Sequence, residues 1–466
     1  MNISLKDISK QLPKEDTSNY RSLNKQLFDT SKRTCVVIDD DPTGNQTVYD
    51  IPLLTKWNLE TLINEFKKET PTFFLLTNSR SLSQEKSSDI YEEIIRNLLK
   101  ASEVTHRKFT IISRSDSTLR GHFSEIEIIK QSEYFKNAIT FFIPVMFEGG
   151  RVTINDIHYI SESEQLIPVN KTPFSQDHTF AYNHANLNSY IEEKTNGRIK
   201  NNDVVSLDIE SIRLLDVNTL SSKISAIESG KYCIVNALNY NDLDKVAQAL
   251  LLAENSRKQI IYRTSSSFVP SYIGLTPKPL LSAEAIIDNN INTGGLIIIG
   301  SYVQKSSAQL KYVLDNANQI EVIEVNVETI LSNTSNTYLE SLISKIDKTI
   351  KTGKDVVVYT SRKIITGKDT NTTINIASKV SQALVLIVNG ITVRPKYLLA
   401  KGGITSHDLA TKGLNMKRSK VLGQILPGIP IWEMAEETKF PKLLYIVFPG
   451  NVGDEKSLSK IIQTLS

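Results

Sequence analysis

Short apolar runs alternate with amphipathic stretches along most of this chain. Cys35-Val36-Val37-Ile38, Phe73-Phe74-Leu75-Leu76, Phe109-Thr110-Ile111-Ile112 and Ile139-Thr140-Phe141-Phe142-Ile143 are apolar on both faces, and Val204-Val205-Ser206-Leu207, Tyr232-Cys233-Ile234-Val235 and Ile260-Ile261-Tyr262 continue the series. Strands covered by helices on both sides have this character, because neither face meets water. Between them lie helical stretches such as Leu59 to Lys68 and Ser87 to Leu99. The alternation predicts an α/β fold with mainly parallel sheets.

The segment Thr264 to Thr293 breaks this rhythm with three consecutive serines and the prolines Pro270, Pro277 and Pro279. A second α/β series follows, in Leu296-Ile297-Ile298-Ile299, Ile320 to Val325, Val356-Val357-Val358-Tyr359, Tyr397-Leu398-Leu399 and Leu443 to Phe448. The expected organisation is an N-terminal domain over 1–265, a linker over 266–293 and a C-terminal domain over 294–466. Two α/β domains make the cleft between them the expected ligand site.

Length and composition agree with this reading and exclude several classes. A chain of 466 residues exceeds the size at which one core usually stops growing. With 40% hydrophobic and 23% charged residues it has the composition of a globular protein. A net charge of +3 gives no case for nucleic-acid or membrane partners. Cys35 and Cys233 are too few for a disulfide framework or a cysteine zinc site and suit a reducing compartment. The first residues show no signal-peptide core, and no apolar run reaches membrane-span length. The expected location is cytoplasmic.

The candidate chemistry of the first half sits where strands end, the edge at which open α/β sheets bind ligands. The first strand runs into Asp39-Asp40-Asp41-Pro42-Thr43-Gly44-Asn45. Three adjacent carboxylates repel one another unless cations or hydrogen-bond donors offset them. The second strand ends in Thr77-Asn78-Ser79-Arg80, and the third in Arg114-Ser115-Asp116-Ser117-Thr118-Leu119-Arg120-Gly121-His122. Arginine suits a two-point grip on carboxylate or phosphate. Arg80, Arg114 and Arg120 beside an acidic cluster, with hydroxyls around them, point to a small anionic, hydroxyl-rich ligand. No histidine and carboxylate spacing resembles a metal site.

In the second half, three strands end in glycine turns: Gly300-Ser301-Tyr302, Lys401-Gly402-Gly403-Ile404-Thr405 and Pro449-Gly450-Asn451-Val452-Gly453-Asp454-Glu455. Glycine at a strand-to-helix turn lets backbone N–H groups approach a phosphate. One such turn would be an ordinary helix start; three together point to a nucleotide. No G-x-x-x-x-G-K-[ST] occurs and no G-x-G-x-x-G follows a strand, which argues against a common dinucleotide-binding dehydrogenase.

Taken in order from Asp39 to Glu455, these segments, with Pro144 to Arg151 and Val421 to Gly428, resemble the four-carbon acid sugar kinase family. The resemblance implies an N-terminal domain that binds an acid sugar and a C-terminal domain that binds ATP. It implies ATP-dependent phosphorylation of the terminal hydroxyl of erythronate, threonate or a 3-oxo form. It further implies nucleotide contacts by Ser301, by the turn Gly402, Gly403, Ile404 and Thr405, and by the loop of Gly450, Asn451 and Gly453. Many relatives have an acidic residue where Ile404 stands. On this reading one of Asp39, Asp40 and Asp41 orients or deprotonates the hydroxyl, with Asp40 as the nominal choice, since strand alternation does not decide among them. Arg114 and Arg80 with Arg120 hold the substrate carboxylate or the transferred group, and Thr43, Asp116 and Ser117 address the sugar. Mg²⁺ is expected with the nucleotide, without a dedicated protein cage. The partners are then an acid sugar and ATP, and a homo-oligomer is compatible. An NAD-linked sugar-acid dehydrogenase and a non-catalytic sugar-acid and nucleotide sensor are the alternatives.

Overall fold

The structure is a computed structural model, and it describes residues 3–162, 165–288, 290–316, 320–332, 335–362 and 370–466. The chain forms two compact units, each α/β as the hydrophobic pattern predicts. The first comprises Met1–Val48 and Lys56–Pro277, and the second Tyr49–Thr55 and Lys278–Ser466.

In the first unit seven strands form one parallel sheet, ordered Val205–Leu207, Tyr232–Val235, Ile139–Ile143, Ile260–Thr264, Phe109–Arg114, Thr34–Asp39 and Thr72–Leu76. Every residue of the four strands from Ile260–Thr264 to Thr72–Leu76 is buried, as two-sided helical cover requires. The helix Leu59–Lys67 starts at Asn58, whose side chain accepts from Thr61 N at 3.0 Å. The helix Gln84–Thr105 starts at Ser83 in the same way. Because each strand is short and each helix returns antiparallel to it, all seven C-terminal strand ends lie along one sheet edge.

A smaller antiparallel sheet in this unit, ordered Ile3–Ser4, Gln165–Pro168, Ile157–Glu162 and Arg151–Ile154, was not visible in the hydrophobic pattern. Its strands carry polar residues on the face away from Val152, Ile154, Tyr159 and Leu166, which share a small core of their own. They therefore lack the continuous apolar runs that mark the main sheet.

The second unit has one mixed sheet, ordered Ile51–Leu54, Arg418–Leu426, Ile429–Met434, Leu444–Phe448, Tyr397–Lys401, Leu296–Ile299, Val356–Thr360 and Glu321–Val325. The last five strands are parallel and the first three pair antiparallel. Its core gathers Ile297, Ile299, Leu399, Ile446 and Phe448 against Leu458, Ile461 and Ile462 of the helix Ser457–Leu465.

Two boundaries differ from the sequence reading. Tyr49–Thr55 belongs to the second unit, because Ile51–Leu54 completes its backbone hydrogen bonding on Arg418–Val421. The proposed linker over 266–293 is also corrected in its first part. Ser265 to Ser267 and the helix Phe268–Tyr272 are buried in the first unit, with Phe268 and Tyr272 packed on Tyr262. Proline and serine signalled a break in periodicity there, but aromatic packing holds the segment.

Gly274 tests this docking. It sits at φ +66°, and a Cβ there would lie 2.2 Å from the backbone nitrogen of Lys25. Gly274→Ala combines left-handed strain with a backbone collision and should destabilise the first unit by about 2–4 kcal/mol. Thermal melting should show a drop of several degrees. An unchanged melting temperature would mean that residues 266–277 do not pack as described.

Candidate functional site

The first unit gathers its candidate residues at the ends of three neighbouring strands. Asp39 and Asp40 are fully buried, and Arg114 nearly so. Arg114 Nη1 donates to Asp39 Oδ1 at 3.2 Å and to Asp40 Oδ1 at 3.4 Å. Arg80 grips Asp40 at two points, Nε to Oδ2 at 3.1 Å and Nη2 to Oδ1 at 2.5 Å, and reaches Asp41 Oδ2 through Nη1 at 3.2 Å. Ser115 Oγ completes Asp40 by donating to Oδ2 at 2.9 Å. Thr43 donates to Asp41 Oδ1 through its amide at 2.7 Å and its hydroxyl at 2.5 Å. Thus the repulsion expected of three adjacent aspartates is offset by two arginines and local hydroxyls.

The network continues toward solvent. Arg80 Nη1 lies 3.8 Å from Asp116 Oδ1, and Arg120 Nε donates to Asp116 Oδ2 at 2.7 Å. Arg120 also lies 3.6 Å from Asp177 and over the Phe174 ring. Ser117 is buried, and its carbonyl accepts from His158 Nε2 at 2.8 Å, while His158 Nδ1 meets the Thr153 hydroxyl at 2.9 Å. Burial pushes His158 down to about 4, so it is a neutral prop for the Ser117 loop.

The three aspartates are therefore not equivalent. Asp40, the nominal base, has both oxygens engaged and no exposure. It positions Arg80 and Arg114. Burial pushes the Asp39 carboxyl up to about 7 although Arg114 and an amide bond draw it down. Its Oδ2 has no hydrogen-bond partner among the described residues. Asp41 is half-buried and accessible, and although burial opposes ionisation, Arg80, Arg114 and Thr43 hold it below its ordinary value. In the same manner Arg80 and Arg120 outweigh burial and keep Asp116 ionised.

Glycine is required where the loop folds over this network. A Cβ on Gly44 would lie 2.1 Å from Asp39 Oδ1. Gly121, at φ +121°, would place one 2.7 Å from Ser115 Oγ and 3.0 Å from Asp40 Oδ2.

Several members of the network were not singled out in the sequence. Ser266 accepts from Arg114 Nη2 at 3.1 Å and donates to the Gly44 carbonyl at 3.1 Å. Arg263 donates to Ser115 Oγ at 3.3 Å and lies 3.6 Å from Glu125, a buried carboxylate that accepts from Ser79 and Ser87. The strand-end rule would have found Ser265-Ser266-Ser267, which directly follow Ile260–Thr264. Glu125 lies inside a helix, where no local signal distinguishes it.

The second unit brings its glycine turns together on three adjacent parallel strands, Leu444–Phe448, Tyr397–Lys401 and Leu296–Ile299. Ser306 Oγ donates to Ser301 Oγ at 3.0 Å or to the Gly450 carbonyl at 3.1 Å. A Cβ on Gly450 would lie 2.9 Å from Ser301 Oγ, and one on Gly300 would lie 2.3 Å from Thr405 Oγ1. Gly402 takes φ +116° and starts the helix Gly403–Asp408. Ser301, Gly402, Thr405 and Gly450 thus share one place. Gly403 faces open space, Ile404 is 59% exposed and Asn451 is exposed beside them. Gly453, at φ +81°, packs on Ser457 further along the loop.

Comparison with known proteins identifies each unit. A family model described as a sugar-binding N-terminal domain matches residues 35–272, more than half of the chain, and one described as a nucleotide-binding C-terminal domain matches residues 296–458. The chain belongs to the four-carbon acid sugar kinase family. No curated protein matches it. A solved protein of Haemophilus influenzae is similar in fold, with 14% identity and a TM-score of 0.60 over 92% of this chain and 100% of that one. A Salmonella typhimurium LT2 protein, provisionally named a tRNA synthase, has 13% identity and a TM-score of 0.66 over 92% of this chain and 98% of that one. Among the family member's described residues no helix is long and apolar enough to cross a membrane.

The raised Asp39 carboxyl gives a signed pH effect. Between its ordinary 3.8 and about 7 the folded protein keeps a proton that the unfolded chain has released. Stability from this group therefore falls as pH rises through that window, by at most about 1.4 kcal/mol per pH unit. Glu125, which burial and Asp40 raise to about 7, acts in the same direction. Asp39→Asn removes the Asp39 share, so its melting temperature relative to wild type should climb from about pH 4 to about pH 7 and then level off. A pH-independent difference would mean that Asp39 titrates as an ordinary carboxylate.

Proposed function

We propose that the chain is an ATP-dependent kinase that phosphorylates the terminal C4 hydroxyl of a four-carbon acid sugar such as erythronate, threonate or a 3-oxo-tetronate. The observation that carries this reading is the rim of Asp41, Arg80, Asp116 and Arg120, where ionised carboxylates and guanidiniums meet solvent beside hydroxyls in the sugar-binding unit. Such a rim has a cation for a substrate carboxylate and acceptors for its hydroxyls. The glycine edge of the nucleotide-binding unit supplies the complementary half, room for phosphate against backbone.

Phosphoryl transfer requires positioning and charge neutralisation more than a strong base. Asp41 is the carboxylate we assign to orient the attacking hydroxyl, since Asp39 and Asp40 are sealed from solvent. Arg120, with Asp116 fixing its direction, takes the substrate carboxylate. Arg80 and Arg114 keep the aspartates in place, and Arg80, half-buried at the rim, neutralises charge gathering on the transferred group. Among the described residues no group of three or more His, Cys, Asp or Glu side chains could hold a metal. Mg²⁺ would be carried on the nucleotide phosphates, which suits its preference for phosphate oxygens and water.

An ADP-release assay over four-carbon acids, read beside NAD(P)H absorbance, tests the reaction class. ADP should form with at least one of these acids and without NAD(P)H change. Hydride transfer, or no ADP with any of them, would reject the kinase. Asp41→Asn should lower kcat by about a hundredfold or more, while Arg120→Ala should chiefly raise KM for the acid. Unaltered kinetics in both would place the substrate elsewhere.

A further inference from the structure

Lys401 has no exposed surface at the end of the Tyr397–Lys401 strand. Its ammonium donates to the Pro449 carbonyl at 3.1 Å and lies 3.5 Å from the centre of the Phe448 ring. Among the described residues no carboxylate pairs with it, and the charged group that acts on it is another cation, Lys305. Lysine is almost never fully buried without an anionic partner, because one carbonyl and one ring do not replace the water lost.

A second cation at this edge has unfilled donors, although the Glu324 carboxylate favours its charge. Arg362 follows the strand Val356–Thr360, on the far side of Leu296–Ile299 from Tyr397–Lys401, and donates Nη1 to the Ser301 carbonyl at 2.7 Å. Its Nε and Nη2 are buried without a hydrogen-bond partner among the described residues. The Lys401 ammonium thus reaches the Pro449-Gly450 turn and Arg362 the Ser301 turn, and Ser306 links the two turns through Ser301 Oγ and the Gly450 carbonyl. The edge therefore holds unmet donors from two strand ends around three glycine turns.

We propose that Lys401 and Arg362 grip the phosphate chain of the bound nucleotide. The proposal rests on the reading of this edge as the nucleotide site and adds the residues that supply its charge. A phosphate has the oxygens to occupy the remaining ammonium and guanidinium donors at once, and Gly403, in the turn that follows Lys401, faces open space. Burial, reinforced by Lys305, lowers Lys401 to about 7, so a large share of the molecules hold it neutral before binding. A phosphate beside it favours the ammonium, and the proton comes from solvent as the nucleotide binds.

Calorimetric titration of the full chain with ATP and with adenosine, at about pH 8 in two buffers of different ionisation heat, reads affinity and proton uptake together. ATP should take up close to one proton per molecule bound and adenosine none. Lys401→Met and Arg362→Gln should each weaken ATP about tenfold or more and leave adenosine affinity unchanged. ATP binding without proton uptake, or with full affinity in Lys401→Met, overturns the role of Lys401. Full ATP affinity in Arg362→Gln overturns that of Arg362. In both cases the nucleotide reading stands. Wild type that binds neither ligand overturns that reading and this proposal with it. Should Lys401→Met fail to fold, the proton count on wild type still decides.

Discussion

Two arginines set among three aspartates govern the sugar-binding half of this protein. Removing a carboxylate from water costs several kcal/mol, and Asp39 and Asp40 are both fully removed. Arg114 bridges the pair and Arg80 holds Asp40 at two points, so the charge is met by fork-shaped donors in fixed directions. That requirement propagates outward. Gly44 must lack a side chain to pass over Asp39, Gly121 must lack one to pass Ser115, and Ser266 ties Arg114 to the Gly44 carbonyl. Asp116 and Arg120 then extend the alternation of charge to the surface, where a ligand can reach it.

Each unit uses the C-terminal edge of its own strands, and the two do so in different chemical ways. In the first, side-chain charge builds the site and the backbone makes room for it. In the second, glycine turns on adjacent strands expose backbone and hydroxyls, and the cations Lys401 and Arg362 stand behind them with unmet donors. A prebuilt ion network suits a substrate that must be oriented to one hydroxyl. An edge short of anions suits a ligand that brings its own negative charge.

Much of this was legible because both periodicity and strand-end chemistry are local. Buried parallel strands show as apolar runs, and the aspartates, arginines and glycines stand directly after them, so Asp39 to Asp41, Arg80, Arg114, Ser301, Gly402 and Gly450 could be picked out by position. What escaped depends on partners far along the chain. Ile51–Leu54 reads as part of the first half, yet its hydrogen bonds lie on Arg418–Val421. Ser266 reads as linker, yet it bonds Arg114 and Gly44. The roles of Asp40 and Asp41 could not be separated without burial, since adjacent residues of like type differ only in what surrounds them. Lys401 stood inside a quoted motif, but its missing anion is a property of the folded edge alone.

The proposed reaction moves the γ-phosphoryl group of ATP to the C4 hydroxyl oxygen of a four-carbon acid sugar. Phosphorus–proton correlation spectra of the products formed with erythronate, threonate and the 3-oxo acids test it at the bond itself. A new phosphate ester coupled to the C4 methylene protons is expected for at least one of them. Spectra that show no ester with any of these acids, or an ester only at C2 or C3, would contradict it.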